Sequence, residues 1–255
     1  MKKILAALIA ITLTMGVFAQ GFYIEYKIGA SGKEASVGGN FKTYSQGGDV
    51  RSEITMSVPQ MGEMQITSLS LKTEPNKIYL LNEKEKTYTE MATGNDEEWK
   101  DRAQSDYEVT VLGKETINGY NTTHVSIKIN GKQREELWTT RDIAGYGEFA
   151  KIKTKYTGKD NLYKALAAKS ADGLPVRIKV DERGHNMQMD LVKAEKRSNP
   201  ANLFSLDGYK KGEGMSGMPG GEQIQEMMKN MQNMTPAERE EMIRQLKEQY
   251  GKQPH

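Results

Sequence analysis

Apolar and polar residues alternate one by one over most of the chain between residues 22 and 196. Phe22, Ile24, Tyr26 and Ile28 alternate with Tyr23, Glu25 and Lys27, the period of two that marks a strand with one buried face. The same pattern predicts strands over Asn40–Gln46 and Val50–Val58, joined by the turn residues Gly47-Gly48-Asp49. Met64–Thr73 and Lys77–Leu81 flank Glu74-Pro75-Asn76, where proline presets the turn dihedral, and Lys86–Met91 returns after a charged turn. Asp96–Gln104 is charged and reads as a short helix or exposed loop. Alternation resumes with Tyr107, Val109 and Val111, and again with Val125, Ile127 and Ile129. Asn118-Gly119 and Asn130-Gly131 supply hairpin turns, the second leading into Glu135–Thr140. Residues 141–170 break the pattern, and Asp160-Asn161 heads a helix that carries Leu162 and Leu166. Val176, Ile178 and Val180, then Met187, Met189 and Leu191, end the series. About nine or ten strands with one helical insertion follow, and their short turns make the connections mostly antiparallel.

Both ends depart from this pattern. Lys2 and Lys3 precede an apolar run from Ile4 to Phe18, and Val17 and Ala19 are small residues placed for cleavage before Gln20. Residues 1–19 thus read as a signal peptide, because the run is shorter than a membrane span. The expectation is export to the periplasm or beyond, with no transmembrane segment after cleavage. At the other end, residues 212–221 form a Gly-rich linker. Residues 222–255 read as a helical tail: Ile224, Met227, Met228 and Met231 sit at helical spacing. A second start at Thr235-Pro236-Ala237-Glu238 leads to Ile243, Leu246 and Tyr250. Such helices are marginal alone, so residues 222–250 are expected to dock on a protein partner or on the chain's own sheet.

Composition narrows the function. Removing residues 1–19 from 255 leaves 236 residues with 34 basic and 34 acidic side chains, interleaved along the chain, so no basic footprint for nucleic acid is expected. The chain has no cysteine, which removes disulfides, thiolate nucleophiles and cysteine metal sites. A hydrophobic content of 36% suits strands with one wet face. His124, His185 and His255 fall in no catalytic motif, and no nucleophile elbow, phosphate-binding glycine loop or HExxH occurs. The expectation is a protein that is not an enzyme and needs no cofactor.

Methionine is the unusual residue. Thirteen of the fifteen lie after residue 19, and seven of those lie in 215–242. Thioethers favour Cu(I), and His185, Met187 and Met189 share a strand face, so soft-metal binding is one alternative. The plainer reading is that these methionines fill a core or form an interaction surface. Twelve tyrosines, among them Tyr23, Tyr79, Tyr88, Tyr120 and Tyr209 near strand ends, suit either a half-exposed cavity wall or ordinary sheet packing.

Several segments resemble the LolA-type carriers. Pro75-Asn76-Lys77-Ile78-Tyr79-Leu80-Leu81 is similar to their turn into an aromatic strand. Gly113-Lys114-Glu115-Thr116-Ile117-Asn118-Gly119-Tyr120 resembles their repeated strand-turn pair, and Glu136-Leu137-Trp138-Thr139 their tryptophan-bearing strand. Gly173-Leu174-Pro175-Val176-Arg177-Ile178 resembles the penultimate hairpin, and the segment from Asn199 to Tyr209 the closing one. The nearest resemblance is to a group of secreted Gram-negative proteins, the domain-of-unknown-function family numbered 4412, over residues 21–212. It implies a mainly β (α+β) fold: an antiparallel, incomplete β-barrel wrapped on a short helical insertion, here followed by the Met-rich helical tail. It also implies an apolar cavity for acyl chains. Phe22, Ile24, Tyr26, Val125, Ile127, Met187 and Met189 are the expected lining, with Arg51 as a cavity arginine. The function expected on this basis is a periplasmic binding or carrier module for a lipid or other apolar ligand. The alternatives are a structural or interaction protein docking through its tail, and Cu(I) binding.

Overall fold

The computed structural model describes residues 21–31, 37–58, 62–92, 105–143, 145–147, 160–182 and 185–212. The signal peptide expected at residues 1–19, most of the linker expected at 212–221, the helical tail expected at 222–255 and the segment expected at Asp96–Gln104 lie outside these residues.

Two meanders build one sheet. The first runs through β1 (Gly21–Ser31), β2 (Val37–Gln46), β3 (Asp49–Val58), β4 (Gly62–Ser70), β5 (Lys77–Asn82) and β6 (Thr87–Ala92). The second comprises β7 (Tyr107–Ile117), β8 (Tyr120–Ile129), β9 (Lys132–Thr140), β10 (Leu174–Glu182) and β11 (His185–Arg197), with helix α1 (Asp160–Ala168) between β9 and β10. Antiparallel pairing of β1 with β11 joins the meanders, and a two-residue strand β12 (Lys210–Lys211) adds in parallel to β6. The strand order is β12-β6-β5-β4-β3-β2-β1-β11-β10-β9-β8-β7, twelve strands that do not close. Two tight hairpins arise where the chain can reverse with positive φ at two successive residues. Asn118 and Gly119 have φ of 51° and 81°, and Asn130 and Gly131 have 51° and 76°. Among the described residues no helix is long and apolar enough to cross a membrane.

The sheet is covered on its two faces by different elements. On one face, Leu162 and Leu166 of α1 pack into a cluster with Tyr107, Val109, Val125, Ile127 and Leu137. A second cluster unites Phe22, Ile24, Tyr26, Leu191, Leu174 and Val176 with Ile143 and the half-buried Tyr146 of the turn after β9. The methylenes of Lys196, whose register partner is Phe22, lie against Gly145 and place that turn on the same face.

The opposite face is crossed by residues 199–211. Phe204, Leu206 and Tyr209 pack on Leu69, Tyr79 and Leu81, with Leu71 and Tyr88 at the margin. Asn199 anchors this strap. It is 3% exposed, its side-chain amide donates to the Ser45 carbonyl at 3.0 Å and the Phe22 carbonyl at 3.4 Å, and its backbone N–H donates to Gln46 at 2.6 Å. Asn199→Ala leaves those two buried carbonyls without this donor and is expected to destabilise the fold by about 1–3 kcal/mol. The check is the urea midpoint at unchanged denaturant slope; an unshifted midpoint would show that the strap is held elsewhere.

Candidate ligand site

Directly paired residues on neighbouring strands project to the same face of a sheet, so the registers define rows of side chains. One row runs Val111, Val125, Leu137, Ile178, Met189, Ile28, Gly39, Met56, Met64, from β7 to β4. It contains no polar side chain. Beside it runs Leu191, Tyr26, Phe41, Ile54, Ile66. Next comes a row that turns polar across the first meander: Ala194, Ile24, Thr43, Ser52, Ser68, Leu80. Thr43 and Ser52 are in hydroxyl contact at 3.4 Å.

Cover over this face is uneven. Val125 and Ile127, beneath α1, are 0% exposed, and Ile24, Tyr26 and Ile28 are nearly as deep. From there the burial relaxes: Met189, Phe41, Ile54, Met56, Met64 and Ile66 are all half-buried, and Met187 is exposed. Among the described residues the result is an apolar trough, roofed at the α1 end and only half-covered over β2–β4. From β11 to β4 it spans four interstrand spacings, about 19 Å. Its lining is apolar with a few polar groups at the border, the composition of a small-molecule site.

Three phenols mark the roofed end. The Tyr26 hydroxyl donates to the Pro175 carbonyl at 2.7 Å. Burial pushes it well above the ordinary tyrosine range, and the neighbouring Tyr146 and Tyr163 add to the effect. Tyr163, on α1, is pushed up to about 12 by burial and then by Glu135. Tyr146 is raised by burial, then by Tyr163 and Asp172. All three therefore stay neutral in water near neutral pH, and Tyr146 and Tyr163 remain only half-buried. They are uncharged hydrogen-bonding groups set in apolar surroundings.

A family model described as Domain of unknown function (DUF4412) matches residues 32–208, well over half of the chain. The chain belongs to the DUF4412 family. Among curated proteins none matches. The DUF4412 chain is similar in structure to an uncharacterized conserved protein from Thermus thermophilus, with 9% identity, 81% of this chain and 99% of that one covered, and a TM-score of 0.44. A LolA superfamily protein from Nitrosomonas europaea is similar at 10% identity, 73% and 90% coverage and a TM-score of 0.34. The Mycobacterium tuberculosis lipoprotein LppX is similar at 13% identity, 76% and 98% coverage and a TM-score of 0.34.

Of the residues that the sequence nominates, Phe22, Ile24, Tyr26, Val125, Ile127, Met187 and Met189 do share the trough face of this DUF4412 chain. They divide by role. Phe22, Ile24, Val125 and Ile127 are packed under the turn and α1, whereas Met187 and Met189 reach the open part. Arg51 is elsewhere. It pairs in register with Tyr44, which pairs with Tyr23, so it lies on the strap face, opposite Phe22 and Ile24. There it is 7% exposed and bound to Glu53 at 2.8 Å and to Glu83. Burial alone lowers its pKa, but the hydrogen bonds to Glu53 and Glu83 outweigh burial and raise it. Its guanidinium is engaged by the protein itself.

His185 pairs with Glu182 in the backbone register of β10 and β11. Among the described residues no three His, Cys, Asp or Glu side chains are grouped to hold a metal. The tyrosines expected near a cavity wall mostly pack instead: Tyr79, Tyr88 and Tyr209 belong to the strap cluster, and Tyr23 lies under Arg197, whose guanidinium carbon is 3.8 Å from the ring centroid. Phe41, Ile54, Met56, Met64 and Ile66 form much of the trough floor, and alternation along their strands marks them as one-faced without saying which face is lined.

The face of the second meander opposite the trough is a ladder of paired polar groups. His124 stacks on Trp138 at 3.9 Å between centroids and meets Glu136 at 3.1 Å. Trp138 donates to Glu115, and Arg177 binds Asp190 at 2.6 Å. These groups satisfy one another around Trp138, which is itself buried and a member of the cluster that holds Phe22, Leu174 and Val176.

Proposed function

We propose that this DUF4412 protein is an exported, non-catalytic carrier or binding module that takes a lipophilic ligand onto the trough. The carrying observation is the uneven burial along one continuous apolar row, dry beneath α1 and at Ile28 of β1 but only half-covered at Met189 of β11 and over β2–β4. A sheet that needed this face only for its own core would bury it throughout, since exposed contiguous apolar surface favours association. The signal-type residues 1–19 support export, and the neutral phenols and the Thr43, Ser52, Ser68 row offer polar contacts without charge. An amphipathic ligand with an apolar chain fits this arrangement better than a small ion.

The test is native purification of the mature chain followed by mass spectrometry of its organic extract. A stoichiometric apolar molecule, or saturable uptake of the fluorescent probe N-phenylnaphthylamine by the stripped protein, is the expected result. An empty protein with working extraction controls and no saturable uptake would overturn the reading.

A further inference from the structure

We propose that the tail segment 222–234 of this same chain occupies the open part of the trough when no ligand is bound, and that ligand and tail compete for it. The proposal rests on the trough as a site but not on the chemistry of its ligand.

Reach is the first argument. The last described residue, Gly212, is fixed at the sheet edge, its N–H donating to the Tyr88 carbonyl at 2.9 Å. From β12 to β4 there are three interstrand spacings, about 14 Å. The nine residues 213–221 include four glycines and two methionines, and a coil of nine such residues has a root-mean-square span of about 17 Å and a fully extended reach of about 30 Å. The chain leaves the fold at the open edge of the sheet, so it rounds that edge without passing through any element. A tether whose natural span matches the distance gives a high effective concentration at the site, on the order of millimolar.

Complementarity is the second argument. Ile224, Met227, Met228 and Met231 repeat at helical spacing and give segment 222–234 one apolar stripe. The trough offers Ile54, Ile66, Met56, Met64, Met187 and Met189, none of them fully buried. Methionine against methionine suits reversible occupancy: unbranched thioethers adapt to one another and to an incoming ligand without a single preferred fit. The need is mutual, because a short helix gains its stability from docking and the trough gains cover for its apolar floor.

Because the chain has no cysteine, introduced pairs report without background. The full mature chain carrying Met64→Cys with Met228→Cys is compared with Gln65→Cys with Met228→Cys. Gln65 neighbours Met64 on the same strand but is exposed on the opposite face, so tether length is matched. Under mild oxidation the first pair is expected to close an intramolecular disulfide about ten-fold faster than the second, and added N-phenylnaphthylamine to slow it. Equal rates for the two pairs, or cross-links found only between molecules and rising with protein concentration, would overturn the proposal. As a second measurement, Met227→Asp with Met228→Asp should tighten probe binding about ten-fold by removing the competitor; unchanged affinity in a chain that binds the probe would also overturn it. Selective cross-linking in a chain that takes up no probe would leave the docked tail standing and remove the carrier reading.

Discussion

Replacing Ile54 with aspartate is expected to weaken uptake of an apolar probe at least about thirtyfold while the sheet remains folded. Ile54 is the middle position of the row Phe41, Ile54, Ile66 and is half-buried, so part of its surface is left for a ligand. Two effects add. Half-covered isoleucine loses about 1 kcal/mol of apolar contact with the ligand, and a carboxylate covered by an acyl chain without a hydrogen-bond partner costs a further 1–3 kcal/mol or more. In the free protein the new carboxylate keeps access to water, so the cost to folding is nearer 1 kcal/mol, that of a poor strand former. The paired control is Val111→Asp. Val111 belongs to the same long apolar sheet face but sits at its far end on the edge strand, 43% exposed and beyond α1, where no change in affinity is expected. Fluorescence titration with N-phenylnaphthylamine, alongside urea unfolding of each variant, makes the comparison. Undiminished binding by Ile54→Asp, or an equal loss in Val111→Asp, would mean that the ligand site is not the trough.

That experiment draws on a face that is only half legible in the sequence. Alternation along a strand is a local property, so Phe22, Ile24 and Tyr26 can be grouped from the sequence, and so can Val125 with Ile127. Turn chemistry is local too, and Asn118-Gly119 and Asn130-Gly131 reverse the chain where expected. Register is not local. The pairing of Met189 with Ile28 joins residues from opposite ends of the domain, and without it the methionines of β11 cannot be placed in line with Met56 and Met64. Strand alternation also says nothing about cover. Val125 and Met189 occupy the same row, yet α1 seals the first and leaves the second half open. Arg51 shows the same limit: a strand arginine reads as a ligand anchor until the fold brings Glu83 and, from the far end of the domain, Tyr209 beside it. The strap is legible only as the closing segment from Asn199 to Tyr209: Lys210-Lys211 carries no strand pattern, and it is held to β6 by backbone groups and by the Lys211–Glu90 ion pair at 3.1 Å.

Arg51→Met is expected to destabilise the protein by about 3 kcal/mol at neutral pH, and the deficit is expected to shrink in acid. In the native fold the guanidinium is buried with Glu53 and Glu83 as partners, and Glu83 also accepts hydrogen bonds from Tyr209 and from Lys86 at 3.1 Å. Methionine fills comparable volume but leaves the carboxylates without their shared cation, the situation in which breaking a buried pair costs most. Both acids keep some access to water, 19% and 30% of the side chain, which holds the expected loss near the lower end of that range. The pH dependence follows from Glu83. Burial by itself would raise its carboxyl, but the hydrogen bonds from Tyr209, Arg51 and Lys86 outweigh burial and lower it from 4.5 to about 2. A carboxyl whose folded value is depressed contributes stability that is complete above its unfolded value and lost as pH falls through the folded one. The window is therefore between 4.5 and about 2. Within it the native protein should lose stability more steeply than Arg51→Met, whose Glu83 lacks the arginine and titrates nearer its ordinary value. The two unfolding curves, measured in urea at a series of pH values, should converge toward the acid end. A deficit that stays constant across the window would show that Arg51 stabilises the strap face by packing its side chain rather than by holding Glu83 ionised.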